Sequence, residues 1–157
     1  MRQAFTMIEL IFVIVIIGVL SAVAIPKLTA NRTSAEAAMC EYAVSKFSRE
    51  LVNYYTLRGH EGFISKSISK ITNVKILNSD PNYSNGIVLD GYITDGIQYN
   101  CDNVKLATFK YSFDISLDRY ILVMQVYEGS TPSSFLAYNT LKRSLNIDTN
   151  TGKYYVF

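Results

Sequence analysis

Residues 5–26 read FTMIELIFVIVIIGVLSAVAIP and form an almost unbroken apolar run whose only charged side chain is Glu9. At a rise of 1.5 Å per residue, residues 5–25 would form a helix of about 31 Å, close to the roughly 30 Å hydrocarbon thickness of a bilayer. One positive charge, Arg2, precedes the run, and no comparable basic cluster follows until Lys27 and Arg32. The sequence therefore predicts a single membrane span with its N-terminus in the cytoplasm.

The charge of Glu9 limits how this run can be interpreted. A charged side chain inside a membrane-spanning helix costs roughly 2.5 to 3.5 kcal/mol on insertion scales, so such residues are rare and usually have a partner. A secretory signal peptide cleaved after Ala24 is one interpretation, and it would release a soluble, secreted β-rich binding domain that starts at Ile25. A plain single-pass anchor is another. Neither explains a short leader followed at once by Phe, Thr and a solitary Glu.

The string from Ala4 to Pro26 resembles the class III leader and N-terminal helix of type IV pilins and of the pseudopilins of type II secretion. The resemblance implies cleavage by a prepilin peptidase between Ala4 and Phe5, N-methylation of Phe5, and a role for Glu9 as the assembly glutamate. The chain departs from the family pattern at Ala4, where Gly is usual, and at Met7, where Leu is common. Both changes are conservative.

The same resemblance implies a fold, a location and partners. The fold is α+β and pilin-like, with one long N-terminal helix packed on a mostly antiparallel β-sheet. The precursor would cross the inner membrane once with a periplasmic C-terminal domain, and the mature subunit would join a periplasmic or extracellular homo-oligomeric filament. Its partners would be the peptidase, an inner-membrane platform protein and a cytoplasmic assembly ATPase. A pilus, a secretion pseudopilus and a DNA-uptake filament with minor pilins remain alternatives.

A helical pattern continues beyond the apolar run, and it turns amphipathic. We expect four segments: a leader at 1–4, a filament-core helix at 5–26, an amphipathic helix at 27–58 and a β-rich domain at 59–157. Apolar residues recur in the third segment at spacings of three and four, which predicts one buried face. They are Ala37, Cys40, Val44, Phe47, Leu51 and Tyr54.

Glycine and proline predict where this helix bends and ends. Pro26 lacks an amide donor and clashes with the preceding turn, so we expect a bend there, with Gly18 as a weaker second position. The resemblance implies that this region can melt during assembly. Gly59 and Gly62 follow Arg58, and this combination predicts that the helix ends at Arg58.

Two cysteines, Cys40 and Cys101, allow one intramolecular pairing. The predicted topology places both outside the cytoplasm, where disulfides persist, and Cys40 lies on the apolar stripe that would face the sheet. We therefore expect a Cys40–Cys101 bridge, with two buried unpaired thiols as the alternative.

The second half of the chain has the pattern of strands and turns. Residues 106–115 alternate strictly between apolar and polar side chains, which predicts a strand with one buried face. We expect further strands, in hairpin-like pairs, at 87–89, 92–94, 97–99, 120–127, 135–141 and 154–157. The segment 63–77 fits a short helix or an irregular loop.

We expect no enzymatic activity, cofactor or metal site. The chain has no nucleophile elbow, phosphate-binding glycine loop or HExxH motif, and its two distant cysteines and single His60, expected in a loop, lack metal-ligand spacing. The net charge of +2, with no block of like charges, predicts no specific nucleic-acid partner. A calcium loop and a DNA-binding patch are alternatives to ordinary Asp-Gly turns and to a solvated surface, respectively. Their residues are Asp90, Asp95 and Asp102, and Lys66, Lys70, Lys75 and Tyr83.

Overall fold

A computed structural model of the chain describes residues 5–74, 76–78, 93–148 and 152–157. It has a long N-terminal helix and a five-stranded antiparallel sheet, an α+β pilin-like arrangement that confirms the predicted fold class. The chain divides after Ala35 into two compact units, and the second, Glu36–Phe157, contains the sheet.

Helix α1 runs from Met7 to Ile64. Up to Ala35 its described side chains are exposed or half-exposed, because they have no layer to pack against within their unit. From Ala37 onward one face becomes buried at spacings of three and four, as the periodicity predicts. The buried members of that stripe are Ala37, Cys40, Val44, Phe47 and Leu51, and Tyr54 is partly buried.

The helix breaks at Gly59, directly after the predicted end at Arg58, but helical turns then resume and α1 ends only at Ile64. Gly59 does interrupt the helix, since its φ of 67° and ψ of −175° are not helical. Glycine adopts a positive φ without a Cβ clash, so the chain kinks there and then resumes helical turns. The resumed turn places Phe63 in the core and ends at Ile64, while Gly62 remains helical.

The sheet is a meander in the order β1-β2-β3-β4-β5, and every pair is antiparallel. The predicted strands at 97–99, 106–115, 120–127 and 154–157 are confirmed, with small shifts at their ends. The observed strands are β1 Leu77–Asn78, β2 Ile97–Cys101, β3 Val104–Asp114, β4 Arg119–Val126 and β5 Lys153–Val156.

The core lies between the buried stripe of α1 and the inner face of the sheet. Phe47 of α1 meets Phe109 of β3 edge to face, with ring centroids 4.7 Å apart, and both are fully buried. Such aromatic pairs contribute about 0.5 to 1.5 kcal/mol beyond the area that they bury. This contact helps to fix the position of the long helix along the central strand.

The predicted strand at 135–141 is wrong, because this segment belongs to helix α2, Pro132–Ser144. Thr131 caps the helix: its side chain accepts a hydrogen bond from the Ser134 amide, and the Ser134 hydroxyl accepts one from the Thr131 amide. Pro132 is well suited to the first helical position. Local capping, together with burial of Ala137, Tyr138 and Leu141 at helical spacing, selects a helix over a strand.

Three further expectations concern the middle of the chain. The segment 63–77 contains the end of α1 and a short 3₁₀ helix, Ile68–Lys70. The prediction of a strand at 92–94 is wrong for residues 93 and 94, since Ile93–Asp95 forms a second 3₁₀ helix. The strand predicted at 87–89 lies outside the described residues.

Candidate functional site

The N-terminal part of α1 presents an uninterrupted apolar surface. It contains an 18-residue window with a mean hydropathy of 3.0, none of which is buried, so it is long and apolar enough to cross a membrane. Phe5 lies just before the helix, and its side chain is 82% exposed. Monomeric soluble proteins rarely expose apolar patches larger than a few hundred Å², so this surface needs a covering of lipid or protein.

Glu9 lies at the start of this surface, where it caps α1. Its Oε2 accepts hydrogen bonds from the Thr6 amide at 2.8 Å and from the Thr6 hydroxyl at 2.6 Å. The Glu9 amide in turn donates to Thr6 Oγ1 at 3.4 Å. This is a capping box, in which the first turn of the helix satisfies its own free donors.

Thr6 is a site residue that the sequence analysis missed. Its signal is present, because Thr6-Met7-Ile8-Glu9 fits the pattern of a Ser or Thr followed three residues later by Glu. The carboxylate therefore has polar partners within its own chain before any other subunit is considered. Ala4, the other side of the expected cleavage point, lies outside the described residues.

The first helix of the described chain thus exposes an apolar surface and carries one carboxylate three residues after a helix-capping threonine. Residues 1–25 match the prokaryotic N-terminal methylation motif. This match confirms the predicted resemblance to the class III prepilin motif of type IV pilins and pseudopilins. No curated protein and no solved structure gives a significant match to the chain.

The methylation motif has direct consequences for function. It supports a type IV pilin-like or pseudopilin protein, and it implies a substrate of prepilin peptidase that enters pilus assembly. The motif is typical of a structural family rather than an enzymatic one. Together with the apolar helix, it is consistent with membrane anchoring of the precursor.

Gly18 and Pro26 both lie within α1 and keep helical backbone angles. Pro26 removes one amide donor from the helix, while the nearby Thr29 hydroxyl donates to the carbonyl of Ile25 at 3.1 Å. The bend expected near Pro26, with Gly18 as a weaker second position, stays a prediction.

A disulfide joins Cys40 of α1 to Cys101 of β2, with Cα atoms 5.7 Å apart. Both side chains are buried in the core between helix and sheet. The bridge joins residues 61 positions apart in the sequence. In the chain-entropy model, closing a loop of this length raises the free energy of the unfolded chain by about 4 kcal/mol and so stabilises the fold. The link therefore holds the amphipathic half of α1 against the sheet.

His60 lies in an aromatic cluster rather than in the loop that the sequence analysis expects. Its ring stacks on Tyr120 at a centroid distance of 3.9 Å, and its Nδ1 lies 2.8 Å from the hydroxyl of Tyr111. Tyr55 stacks on Phe157 within the same cluster, also at 3.9 Å. These contacts join the end of α1 to β3, β4 and the last residue of the chain.

The described residues do not form the calcium site or the DNA-binding patch that were considered as alternatives. Asp102 lies in the two-residue turn between β2 and β3, where Asp102 and Asn103 have φ values of 51° and 61°, typical of a type I′ hairpin. Asp90 and the side chain of Asp95 lie outside the described residues, as do Lys75 and Tyr83. Within the described part of the chain, no three His, Cys, Asp or Glu side chains cluster as a metal site would require.

The outer face of the sheet carries a shallow polar groove of about 450 Å³. In it Thr108 lies 3.2 Å from the Tyr127 hydroxyl, which donates to Gln125 Oε1 at 3.0 Å. The Lys105 ammonium lies 3.9 Å from the centre of the Tyr127 ring. These groups mostly satisfy one another, and the lining residues include no paired nucleophile and base, so the groove does not have the features of a catalytic site.

Proposed function

We propose that this protein is the structural subunit of a type IV pilus-like filament, either a pilin or a type II secretion pseudopilin. In this proposal the precursor is held in the inner membrane by residues 5–26 and cleaved between Ala4 and Phe5. Phe5 is then N-methylated, and the subunit polymerises through α1. The observation that carries the proposal is the methylation motif at residues 1–25, on a helix whose apolar surface is exposed.

The chemistry of assembly follows from the charges near the N-terminus. Cleavage creates an α-amine on Phe5, and this amine can pair with Glu9 of a neighbouring subunit. Two charges that are each costly in an apolar environment then become one stabilising pair. In this mechanism, the carboxylate that Thr6 holds within the isolated chain gains an ionic partner on assembly, which sets the stagger between subunits.

The apolar helix supplies the driving force for storage and for assembly. Residues 5–25 would move from the bilayer to the filament core, so their side chains would stay away from water throughout. The sheet unit would decorate the outside of the filament. The proposal assigns a mechanical role to the protein, and its partners would be the prepilin peptidase, the platform protein and the assembly ATPase.

The decisive experiment locates the mature N-terminus. The protein would be purified from native membranes, and its intact mass and N-terminal sequence would be determined with and without reduction. We expect a methylated Phe5 start and a mass that shows no free thiol before reduction. A start at Ile25 would instead establish a secreted binding domain, and an uncleaved Met1 would establish a plain membrane anchor; either result would overturn the proposal.

A further inference from the structure

The turn between β3 and β4 exposes apolar side chains at one end of the second unit. Ile115 is 88% exposed, and Phe113 and Leu117 are each nearly half exposed. We call these three residues the tip patch. None of the three side chains belongs to the buried core cluster. They therefore contribute little to the core, although they are large, apolar and lie within five residues of one another.

The tip patch is held in place by hydrogen bonds rather than presented on a loose loop. Asp114 Oδ1 accepts from the Ser116 amide at 2.8 Å, from the Ser116 hydroxyl at 2.5 Å and from the Leu117 amide at 3.3 Å. Arg119 Nε donates to the Leu117 carbonyl at 3.3 Å. A preorganised surface of this kind loses little conformational entropy on binding.

A second apolar patch lies on the first turn of α2. Phe135 and Leu136 are 46% and 42% exposed, whereas the neighbouring Ser134 and Ala137 are fully buried. We call this pair the α2 patch. The side chains of this helix carry a net positive charge, since it contains Lys142 and Arg143 and no acidic residue.

The two patches lie at opposite ends of the second unit. The Ser133 hydroxyl donates to Glu36 Oε2 at 2.9 Å, which places the α2 patch at the first residue of that unit. Phe113 meets Tyr120 edge to face at 5.1 Å, and Tyr120 stacks on His60, which places the tip patch beyond the other end of the helix. The helix from residue 36 to residue 58 accounts for about 33 Å between them.

We propose that the tip patch of one subunit packs on the α2 patch of the next, as a longitudinal contact between sheet units in the filament. Two different patches at opposite ends cannot pair with themselves around a two-fold axis. They form a heterologous, head-to-tail contact, which repeats without closing and so suits a helical filament. The tip turn carries Asp114, Asp118 and Arg119, a net charge of −1. Lys142 and Arg143 lie in the last turn of α2, two turns beyond Phe135 and Leu136 on the same helix face, so the opposite charge lies next to the α2 patch rather than within it. This inference rests on the proposed function.

Crosslinking with introduced cysteines tests the contact in the intact protein. The two native cysteines are bonded to each other, so a bismaleimide will react only with introduced thiols. Sheared filaments of the double variant Ile115→Cys/Leu136→Cys should give products at two, three and more times the subunit mass. Each single variant should remain monomeric, because a heterologous contact needs one cysteine of each kind.

Two controls separate this inference from the proposed function. The double variant Ile115→Cys/Lys110→Cys, with Lys110 exposed on the sheet outside both patches, should give no ladder. Normal filaments of the Ile115→Cys/Leu136→Cys variant without a ladder, or a dimer from Ile115→Cys alone, would overturn the longitudinal contact and leave the filament subunit intact. A wild-type protein that starts at Ile25 or retains Met1 would overturn both.

Discussion

The hydroxyl of Tyr111 lies 2.8 Å from Nδ1 of His60, and this hydrogen bond joins the middle of β3 to the last turns of α1. Burial, with a smaller contribution from the neighbouring Tyr55, raises the pKa of the Tyr111 phenol well above its ordinary value. The phenol therefore stays protonated at physiological pH, and its hydroxyl can take part in a hydrogen bond with Nδ1 of His60. His60 is in turn stacked on Tyr120, so its orientation is set from two sides.

Tyr111→Phe should therefore destabilise the second unit by about 0.5 to 1.5 kcal/mol, because it removes one hydrogen bond and leaves a half-buried Nδ1 without that partner. Urea unfolding of the full chain in detergent would measure the loss. Tyr154→Phe, at a half-exposed position on β5, is the matched control and should change the midpoint little. In a double-mutant cycle with His60→Phe, additive effects would show that the two residues are not coupled.

A methyl group at Gly129 would disturb the capping of α2. A Cβ built there would lie 2.0 Å from the Ser134 hydroxyl oxygen and 3.0 Å from the Ser134 carbonyl carbon. Ser134 is fully buried and bonded to Thr131, so it has little room to move. Gly129→Ala should cost about 1 to 3 kcal/mol through overpacking.

Gly18→Ala is the control for that change, because a Cβ at Gly18 meets nothing within 4 Å. It should leave the unfolding midpoint of the second unit unchanged. Circular dichroism during urea unfolding would follow both variants. Equal midpoints for Gly129→Ala and the wild type would show that the α2 cap does not depend on this approach.

The Asp114 turn predicts a pH dependence of stability. Hydrogen bonds from the Ser116 side chain, the Ser116 amide and the Leu117 amide lower the pKa of Asp114 below its ordinary value. A carboxyl group with a lowered pKa in the folded state stabilises that state above its unfolded pKa, and the contribution is lost as the pH falls through the folded pKa. Asp114→Asn should therefore destabilise the protein at neutral pH by more than it does below about pH 4.

Urea midpoints of the wild type and Asp114→Asn between pH 3 and pH 7 would measure this difference. Ser116→Ala removes the largest of the three interactions, so it should reduce the pH dependence while the aspartate remains. A wild-type-to-Asn difference that stays constant across this range would contradict the account of the turn.

The predictable parts of this fold are those that depend on local periodicity. The spacing of Ala37, Val44 and Phe47 is a helical property, and the alternation along β3 is a strand property, so both could be identified from neighbouring residues alone. The apolar segment and Glu9 form a local motif of the same kind. The Cys40–Cys101 pairing joins distant residues, but two cysteines allow a single partner choice.

The parts that could not be predicted depend on competition between local signals or on long-range contacts. Residues 135–141 are a dense apolar cluster that suits a strand, and the capping residues before it, Thr131 and Ser134, decide for a helix. Gly59 breaks the helix as expected, but burial of Phe63 stabilises another turn beyond it. The stacking of His60 on Tyr120 joins residues 60 positions apart, and no sequence periodicity encodes it.

Glu9 should matter far more to assembly than to the stability of the folded subunit. Removing one member of a desolvated ion pair typically costs 3 to 5 kcal/mol, which corresponds to a loss in subunit addition on the order of a hundredfold to several thousandfold. Glu9→Ala should therefore nearly abolish filaments, counted by electron microscopy and by immunoblotting of sheared material. Thr6→Ala removes the capping partner of Glu9 but no charge, so it should cost only about 1 kcal/mol at the helix start and leave most filaments in place.

Both variants should retain the wild-type unfolding midpoint of the second unit, since Thr6 and Glu9 lie outside it. Filaments of normal abundance from Glu9→Ala would show that the charge pair does not drive assembly, and equal losses in both variants would assign the effect to helix capping instead.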